Sequence, residues 1–273
     1  QYYENGKWPQ WFMFDRYYKI QSLESHGDII LWPLKILSDY IKATGDFSIL
    51  DEELEYTRNT DFEYTDFKEP LIRHVQKQIE YIKNHFIPNT YLSAYGDGDW
   101  DDTLQPANPA LRKTMVSGWT VALTYQIFKE FGELLKNCHP ELSRELTETA
   151  GRIKEDYHKY IIKNGVASGF IIFNDNEIKY LLHPEDQTTG LKYRLLPMTR
   201  SCISEMFDLE EANHHYAILK KHLYHPDGVR LMDRTCTYRG GVSTWFKRAE
   251  TAANFGREIG LEYVHAHIRF IES

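Results

Sequence analysis

Apolar side chains recur every three or four residues along most of this chain, a spacing that places them on one face of a helix. Residues 29–44 carry one such stripe and end at Gly45, a residue type that terminates helices. Residues 69–86 carry a second, with Pro70 in the first turn. The same period predicts six further helices, at 111–136, 141–163, 196–207, 209–223, 243–255 and 262–271.

A different pattern, of short apolar runs around a turn, predicts one β-hairpin. Residues 166–173 and 177–182 flank Asn174-Asp175-Asn176, three residue types that favour turns. The chain is therefore predicted to be all-α apart from this hairpin. Three long connections, at 87–110, 183–195 and 224–242, are rich in Asp, Gly, Pro and aromatic residues. Paired helices with long loops on one side indicate a toroid of helical hairpins with a functional site at one end.

One of these loops carries the most informative stretch of the sequence, Gly96 to Pro106. Four aspartates surround Trp100 there, and Tyr91 and Tyr95 stand just before them. An aromatic ring packs on the apolar face of a sugar, while carboxylates bind hydroxyls or protonate a leaving oxygen. A solvated acidic turn or a calcium loop is the alternative, but such turns rarely hold three aromatic residues. The loop is therefore predicted to be a carbohydrate site.

Composition narrows the class of protein. The 273 residues are 42% hydrophobic and 26% charged, which is typical of a globular chain, and they include 19 Tyr and 6 Trp. The net charge of −8 argues against nucleic acid and anionic membranes as partners. No apolar run is long enough to predict a transmembrane helix. Three widely spaced cysteines suit a reducing cytoplasm. The first residues suggest that this sequence is an internal segment of a longer protein.

Three segments together resemble glycoside hydrolase family 94, the inverting β-glucoside phosphorylases such as cellobiose and chitobiose phosphorylase. They are His26 to Leu34, the Gly98-Asp99-Trp100-Asp101-Asp102 loop, and Gly256 to Ala266. The residues flanking the acidic loop, together with 228–234, are most similar to the 1,2-β-oligoglucan phosphorylase branch. The resemblance covers nearly the whole chain, and the acidic loop is its most specific part.

The resemblance implies an architecture. Family members are long proteins in which a β-sandwich precedes an (α/α)6 toroid that carries the site. Residues 1–273 would then form a single domain, an incomplete part of this six-hairpin barrel. Family members commonly form dimers, so a homodimer of the full-length protein is expected.

The resemblance also implies roles around the transferred sugar. Asp102 falls on the general acid, which protonates the leaving oxygen. Trp100 falls on the tryptophan that contacts this sugar, and Asp28 on the aspartate that binds its hydroxyls. Asp99 is a further expected substrate contact. Without the family resemblance, Asp28 would be interpreted as the cap of the helix that follows it.

The phosphate side of the site is implied in the same way. His265 falls on a phosphate-binding histidine, and Glu258 on a substrate-binding glutamate seven residues before it. Arg16 is the candidate for an arginine that joins the phosphate. Without the family resemblance, His265 would be interpreted as a core histidine and Glu258 as a charged side chain in solvent. His265 and His267 cannot share a helix face, which argues against a zinc pair.

The expected reaction uses β-linked gluco-oligosaccharide and phosphate. An inverting hydrolase needs two carboxylates, whereas a phosphorylase needs only the acid, because phosphate is already an anionic nucleophile. Phosphate is then a co-substrate, and no cofactor or metal is expected. Two alternatives stay open. One is an inverting hydrolase on the same fold, with Glu258 or Glu262 as its base. The other is a non-catalytic carbohydrate-binding fragment, since an incomplete toroid need not be active.

Overall fold

The computed structural model describes residues 2–174, 177–234, 245–247 and 263–273, and this part of the chain is mainly helical. No helix within it has the length and apolar character needed to cross a membrane. In chain order, the described α-helices are α1 (Leu31–Thr44), α2 (Leu71–Asn84), α3 (Leu111–Thr114), α4 (Gly118–Leu135), α5 (Pro140–Asp156), α6 (Leu195–Ile203), α7 (Leu209–His222) and α8 (Val264–Glu272).

Helix ends follow from local chemistry that the sequence makes visible. The prediction that Gly45 ends the first helix is confirmed, because it adopts a left-handed φ of 72° and its N–H bonds back to the carbonyl of Ile41. Asp208 and Glu211 form a reciprocal capping box at the start of α7. The helix predicted at 243–255 lies almost entirely outside the described residues.

The prediction of one continuous helix over 111–136 is wrong. Residues Met115–Ser117 form a strand, β5, between α3 and α4. This strand pairs with residues 170–172, and the side chain of Ser117 then caps α4. An apolar run reads equally well as buried strand or buried helix, so periodicity could not detect the break. The helix predicted over 141–163 ends earlier, at Asp156, and a π-helical turn over Tyr157–Ile161 follows it.

The prediction of a single β-hairpin is also wrong, although that hairpin itself forms. The described residues contain five small antiparallel sheets. Their strands are β1 (Trp11–Phe12) with β2 (Gln21–Ser22); β3 (Glu53–Thr57) with β4 (Tyr64–Pro70); β5, β8 (Phe170–Phe173) and β9 (Ile178–Leu181); β6 (Ile162–Lys163) with β7 (Val166–Ala167); and β10 (Tyr224–His225) with β11 (Gly228–Val229). The predicted hairpin is β8–β9, and two of its turn residues lie outside the described part.

Helix α4 is the centre of the core. It packs against α1, α5 and α6, and most of its side chains are buried, since it is apolar on nearly every face. Helices α1 and α5 are amphipathic and pack one face against it, whereas α6 is buried on nearly every side. The loop that follows α2 and the segment that precedes α6 meet where Asp99 binds Arg194, and they carry the site.

Candidate functional site

Backbone pairing fixes the acidic loop against the segment that enters α1. His26 and Gly96 form an antiparallel bridge, and the N–H of Gly27 donates to the carbonyl of Gly98 over 2.8 Å. The two segments approach so closely that a Cβ on Gly27 would lie 2.8 Å from the carbonyl oxygen of Tyr95. This pairing brings the residues around Asp28 next to those around Asp102.

Asp99 lies at the base of the loop in a buried ion pair. Arg194, at the start of α6, donates through Nη2 to both carboxylate oxygens at 3.1 and 3.0 Å, and both side chains are fully buried. Ser117 donates to the same carboxylate at 2.6 Å. A direct contact between Asp99 and a sugar stays a prediction. In this structure the carboxylate holds the loop to the core.

Asp101 and Asp102 are neighbours in different environments. Asp101 is buried, and it accepts a hydrogen bond from the hydroxyl of Thr103 at 2.7 Å. The side chain of Asp102 is 47% exposed and borders a cavity of about 300 Å³. The loop is therefore not a solvated turn, because two of its carboxylates are buried while Asp102 is presented outward. Other residues lining the cavity include Gln10, Trp11, Glu24, His26, Gln105 and Lys247.

Asp28 does not cap the helix that follows it. Ile30 is the cap residue of α1 and makes no side-chain capping bond, whereas Asp28 Oδ2 accepts from the indole nitrogen of Trp32 at 3.0 Å. The other oxygen, Oδ1, is buried and has no hydrogen-bond partner among the described residues. Burial, with a smaller contribution from the Asp99 charge, raises the pKa of Asp28 to about 7. The carboxyl group therefore has an acceptor to offer a ligand.

Trp100 and His265 meet although they are far apart in sequence. Their ring centroids lie 4.9 Å apart in an edge-to-face contact. Tyr263 packs on the same indole at 5.3 Å. Limited desolvation of this exposed side chain, and then the charge of Arg269 one turn later on α8, lower the pKa of His265, which favours the neutral imidazole. The interpretation of His265 as a core histidine is wrong, because its side chain is exposed and lies beside the acidic loop.

Two predicted site residues are not brought to this place by the described structure. Arg16 lies on an exposed turn, where its guanidinium donates to the hydroxyl of Tyr17 and stacks on that ring. No contact joins Arg16 to His265, so its role in phosphate binding stays a prediction. Glu258 lies outside the described residues, as does Glu262.

Sequence reasoning missed four residues that shape the site: Arg194, His26, Gln105 and Lys247. His26 and Gln105 stand inside the motifs that carry the family resemblance, so position within a motif was an available signal. Lys247 reaches the cavity because its N–H donates to the carbonyl of Gln105 at 2.9 Å. Nothing in the sequence marks Arg194, which is paired with a residue 95 positions away.

Within the ranges that the structure covers, no three His, Cys, Asp or Glu side chains are grouped so that they could hold a metal ion. The acidic loop does not favour the calcium-loop interpretation, because three of its four carboxylates, all but that of Asp102, already have protein partners. Asp99 binds Arg194, and Asp97 binds Arg112 at 2.8 Å.

Comparison with known proteins agrees with the sequence motifs. A family model described as the catalytic domain of the glycosyl hydrolase 94 superfamily matches residues 15–234. The whole chain is 49% identical, over 275 aligned positions, to a 1,2-β-oligoglucan phosphorylase from Listeria innocua, and it covers 25% of that protein. A solabiose phosphorylase from Paenibacillus borealis is 27% identical over 132 residues, which are 48% of this chain and 16% of that protein.

The chain thus spans a quarter or less of the length of these curated relatives. Among solved structures, a sugar epimerase from a ruminal bacterium aligns over 85% of this chain and 72% of its own, with a TM-score of 0.43 and 12% identity. A likeness at that level supports no argument about fold or function.

Proposed function

The chain belongs to the glycosyl hydrolase 94 superfamily, and from this membership we propose that its full-length protein is an inverting β-glucoside phosphorylase. Phosphate attacks the anomeric carbon of a β-linked glucosyl unit, and one aspartic acid protonates the departing oxygen. The products are α-glucose 1-phosphate and a shortened acceptor. Both curated relatives carry phosphorylase in their names, and the one that aligns with the whole chain acts on a 1,2-β-oligoglucan.

Asp102 is the proposed general acid. Two aspartates of the loop line the cavity, and of these Asp97 is paired with Arg112, whereas the side chain of Asp102 is 47% exposed. Asp99 and Asp101 are buried behind them. A proton donor must lie within hydrogen-bond reach of the glycosidic oxygen, which a buried, ion-paired carboxylate cannot do. Asp102 therefore donates its proton to the leaving oxygen, and Asp99 positions the loop through Arg194.

The contact between Trp100 and His265 is the observation that carries the proposal. A phosphorylase must hold an anion close to the sugar that it attacks, and a neutral imidazole can donate one N–H to a phosphate oxygen. Trp100 offers a flat apolar surface to the sugar, and His265 lies against that ring. Asp28 complements them, because its unpaired buried oxygen can accept from a sugar hydroxyl.

Two other functions would require different residues in the site. A hydrolase needs a carboxylate base opposite Asp102, for which Glu258 and Glu262 are the candidates. A non-catalytic carbohydrate-binding domain needs no acid and no phosphate site. The histidine beside Trp100 favours phosphorolysis over both.

The proposal extends to the whole protein. Residues 1–273 form a single domain that is part of an (α/α)6 toroid, completed by chain outside this sequence. The full-length enzyme acts in the cytoplasm, as a homodimer, on β-linked gluco-oligosaccharides, and it requires no cofactor. Nucleic acids and membranes are not partners, in keeping with the net charge of −8.

The test is a phosphate-dependence assay on the full-length protein. Gluco-oligosaccharides with β-1,2 or β-1,4 linkages are incubated with and without phosphate, and glucose 1-phosphate and free sugar are measured.

In the same assay, Asp102→Asn should lower kcat by about 10³-fold, within the range for loss of a general acid. Asp39→Asn is the control outside the site, and should keep kcat within about twofold because the Asp39 side chain is exposed on α1 and pairs with Lys35. Equal release of free sugar without phosphate would identify a hydrolase.

A further inference from the structure

His26 occupies a constrained position between the acidic loop and the segment that enters α1. The residue is 9% exposed, and its backbone N–H donates to the side chain of Gln10 at 2.8 Å. Its ring packs on Gly98, where an added Cβ would lie only 3.2 Å from the imidazole. The imidazole therefore has little freedom to rotate, and the direction of each ring nitrogen is set by the fold.

The hydrogen bond to one ring nitrogen defines the protonation of the other. The amide nitrogen of Gln105 lies 3.3 Å from His26 Nε2, and because an amide nitrogen can only donate, Nε2 is the acceptor. The neutral ring then carries its proton on Nδ1. This Nδ1–H faces Asp102, with 3.9 Å between Nδ1 and Oδ1.

We propose that His26 is the positioning residue for the general acid Asp102. The inference rests on the proposed function, and it goes beyond the roles assigned above. Nδ1–H donates to Oδ1 of Asp102, which leaves Oδ2 to carry the proton and point it toward the glycosidic oxygen. As the O–H bond of Asp102 breaks and the proton bonds to the leaving oxygen, the carboxylate becomes negative and the hydrogen bond from Nδ1 strengthens.

Such a hydrogen bond accelerates the reaction because it is stronger in the transition state than in the ground state. The 3.9 Å separation is long for a hydrogen bond, and contacts of this kind shorten when substrate fills the site. Among the described residues, the charged groups that line the cavity with His26 are Glu24, Asp97, Asp102 and Lys247. Asp97 is neutralised by Arg112, and Asp102 is the carboxylate that the imidazole faces.

Two substitutions in the full-length enzyme separate this role from packing. The side-chain amide of His26→Asn reaches the position of Nδ1, whereas that of His26→Gln reaches the position of Nε2. We expect His26→Asn to keep kcat for phosphorolysis within about fivefold of wild type. His26→Gln should lower kcat about 100-fold, as when one preorganised donor is lost, with little change in KM for the oligosaccharide.

A packing role predicts the opposite order, because the contact with Gln105 is made through Nε2. Equal losses in both variants, or a greater loss in His26→Asn, would overturn the inference. The pH profile of kcat gives a second readout. Activity falls on the alkaline side when a general acid loses its proton, so this limb should move in His26→Gln and stay in place in His26→Asn.

A third variant covers the case in which substitution of His26 prevents folding. Gln105→Leu keeps the histidine but no longer fixes its tautomer, so kcat should fall about tenfold, and an unchanged kcat would contradict the proposal. Failure of the proposed function looks different, since the wild-type protein would then release no glucose 1-phosphate in any of these assays.

Discussion

Aspartates that are close together in one loop acquire different properties from their surroundings. Asp99 is buried against Arg194, Asp101 is buried with Thr103, and Asp102 borders the cavity. Burial requires a carboxylate to have a charged or hydrogen-bonding partner, so the first two can anchor the loop but cannot easily reach a substrate. Of these three residues, only Asp102 has an environment that allows proton donation to a substrate.

Asp28 should make stability depend on pH. Its pKa of about 7 in the folded chain exceeds the ordinary 3.8, so between these values the folded state binds more protons than the unfolded state. The free energy of unfolding therefore falls as pH rises through this window. Relative to Asp28→Asn, which cannot ionise, the wild type should lose about 2–3 kcal/mol between about pH 5 and about pH 8.

Urea unfolding of both proteins at each pH measures this difference. Asp39→Asn is the matched control, because the Asp39 side chain is 54% exposed and pairs only at the surface with Lys35. The free energy of unfolding of Asp39→Asn should stay within about 0.5 kcal/mol of the wild-type value across the same pH range. A constant difference for Asp28→Asn would show that the carboxyl group is ionised throughout.

At the scale of elements, the site depends on two connecting segments held together by backbone hydrogen bonds. Gly27 makes this approach possible, because any side chain would meet the carbonyl oxygens of Tyr95 and Ala94. We expect Gly27→Ala to lower the free energy of unfolding by about 1–3 kcal/mol through overpacking. It should also reduce phosphorolysis, because the segment that holds Asp28 would move away from the loop that holds Asp102.

Gly151→Ala provides the opposite case within helix α5. A Cβ at this exposed position meets nothing within 4 Å. The substitution should raise stability by about 0.5–1 kcal/mol, since alanine favours a helix over glycine, and it should leave activity unchanged. Thermal unfolding and the phosphorolysis assay on both variants test the pair. If Gly27→Ala behaved like Gly151→Ala, the close approach of the two segments would be ruled out.

The same scale explains which elements could be predicted. The amphipathic helices α1, α2 and α7 form nearly where the 3.6-residue period puts them. The break at Met115–Ser117 could not be predicted, because its partner strand is more than 50 residues away and supplies the hydrogen bonds. Strands of two residues, such as β1 and β2, are too short to show an alternating pattern.

At the scale of the whole molecule, the ion pair between Asp99 and Arg194 joins the acidic loop to the start of α6. Arg194→Met should lower the free energy of unfolding by about 3–5 kcal/mol, because it leaves a carboxylate buried without its partner. The double variant with Arg194→Met and Asp99→Asn should lose less free energy of unfolding than the two single variants lose in sum. Chemical denaturation of the four proteins in this cycle measures the coupling between the two side chains.

The control for this cycle is the second ion pair of the same loop. Arg112 binds Asp97 at 2.8 Å, but its side chain is 38% exposed. Arg112→Met should therefore cost no more than about 1 kcal/mol, as is usual for pairs in contact with water. Similar losses for the two arginine variants would mean that burial does not set the strength of these interactions.

The sequence by itself determined the helical character, the acidic loop with its tryptophan and the family of this protein, because periodicity and motif residues are local properties of the chain. Tertiary structure alone decided that Asp102 is exposed at the cavity while Asp99 and Asp101 are buried, that His265 lies against Trp100, and that His26 faces Asp102. Burial and the charge of partners control what a carboxyl group or an imidazole can do. Both are set by residues that the fold brings together from distant parts of the chain.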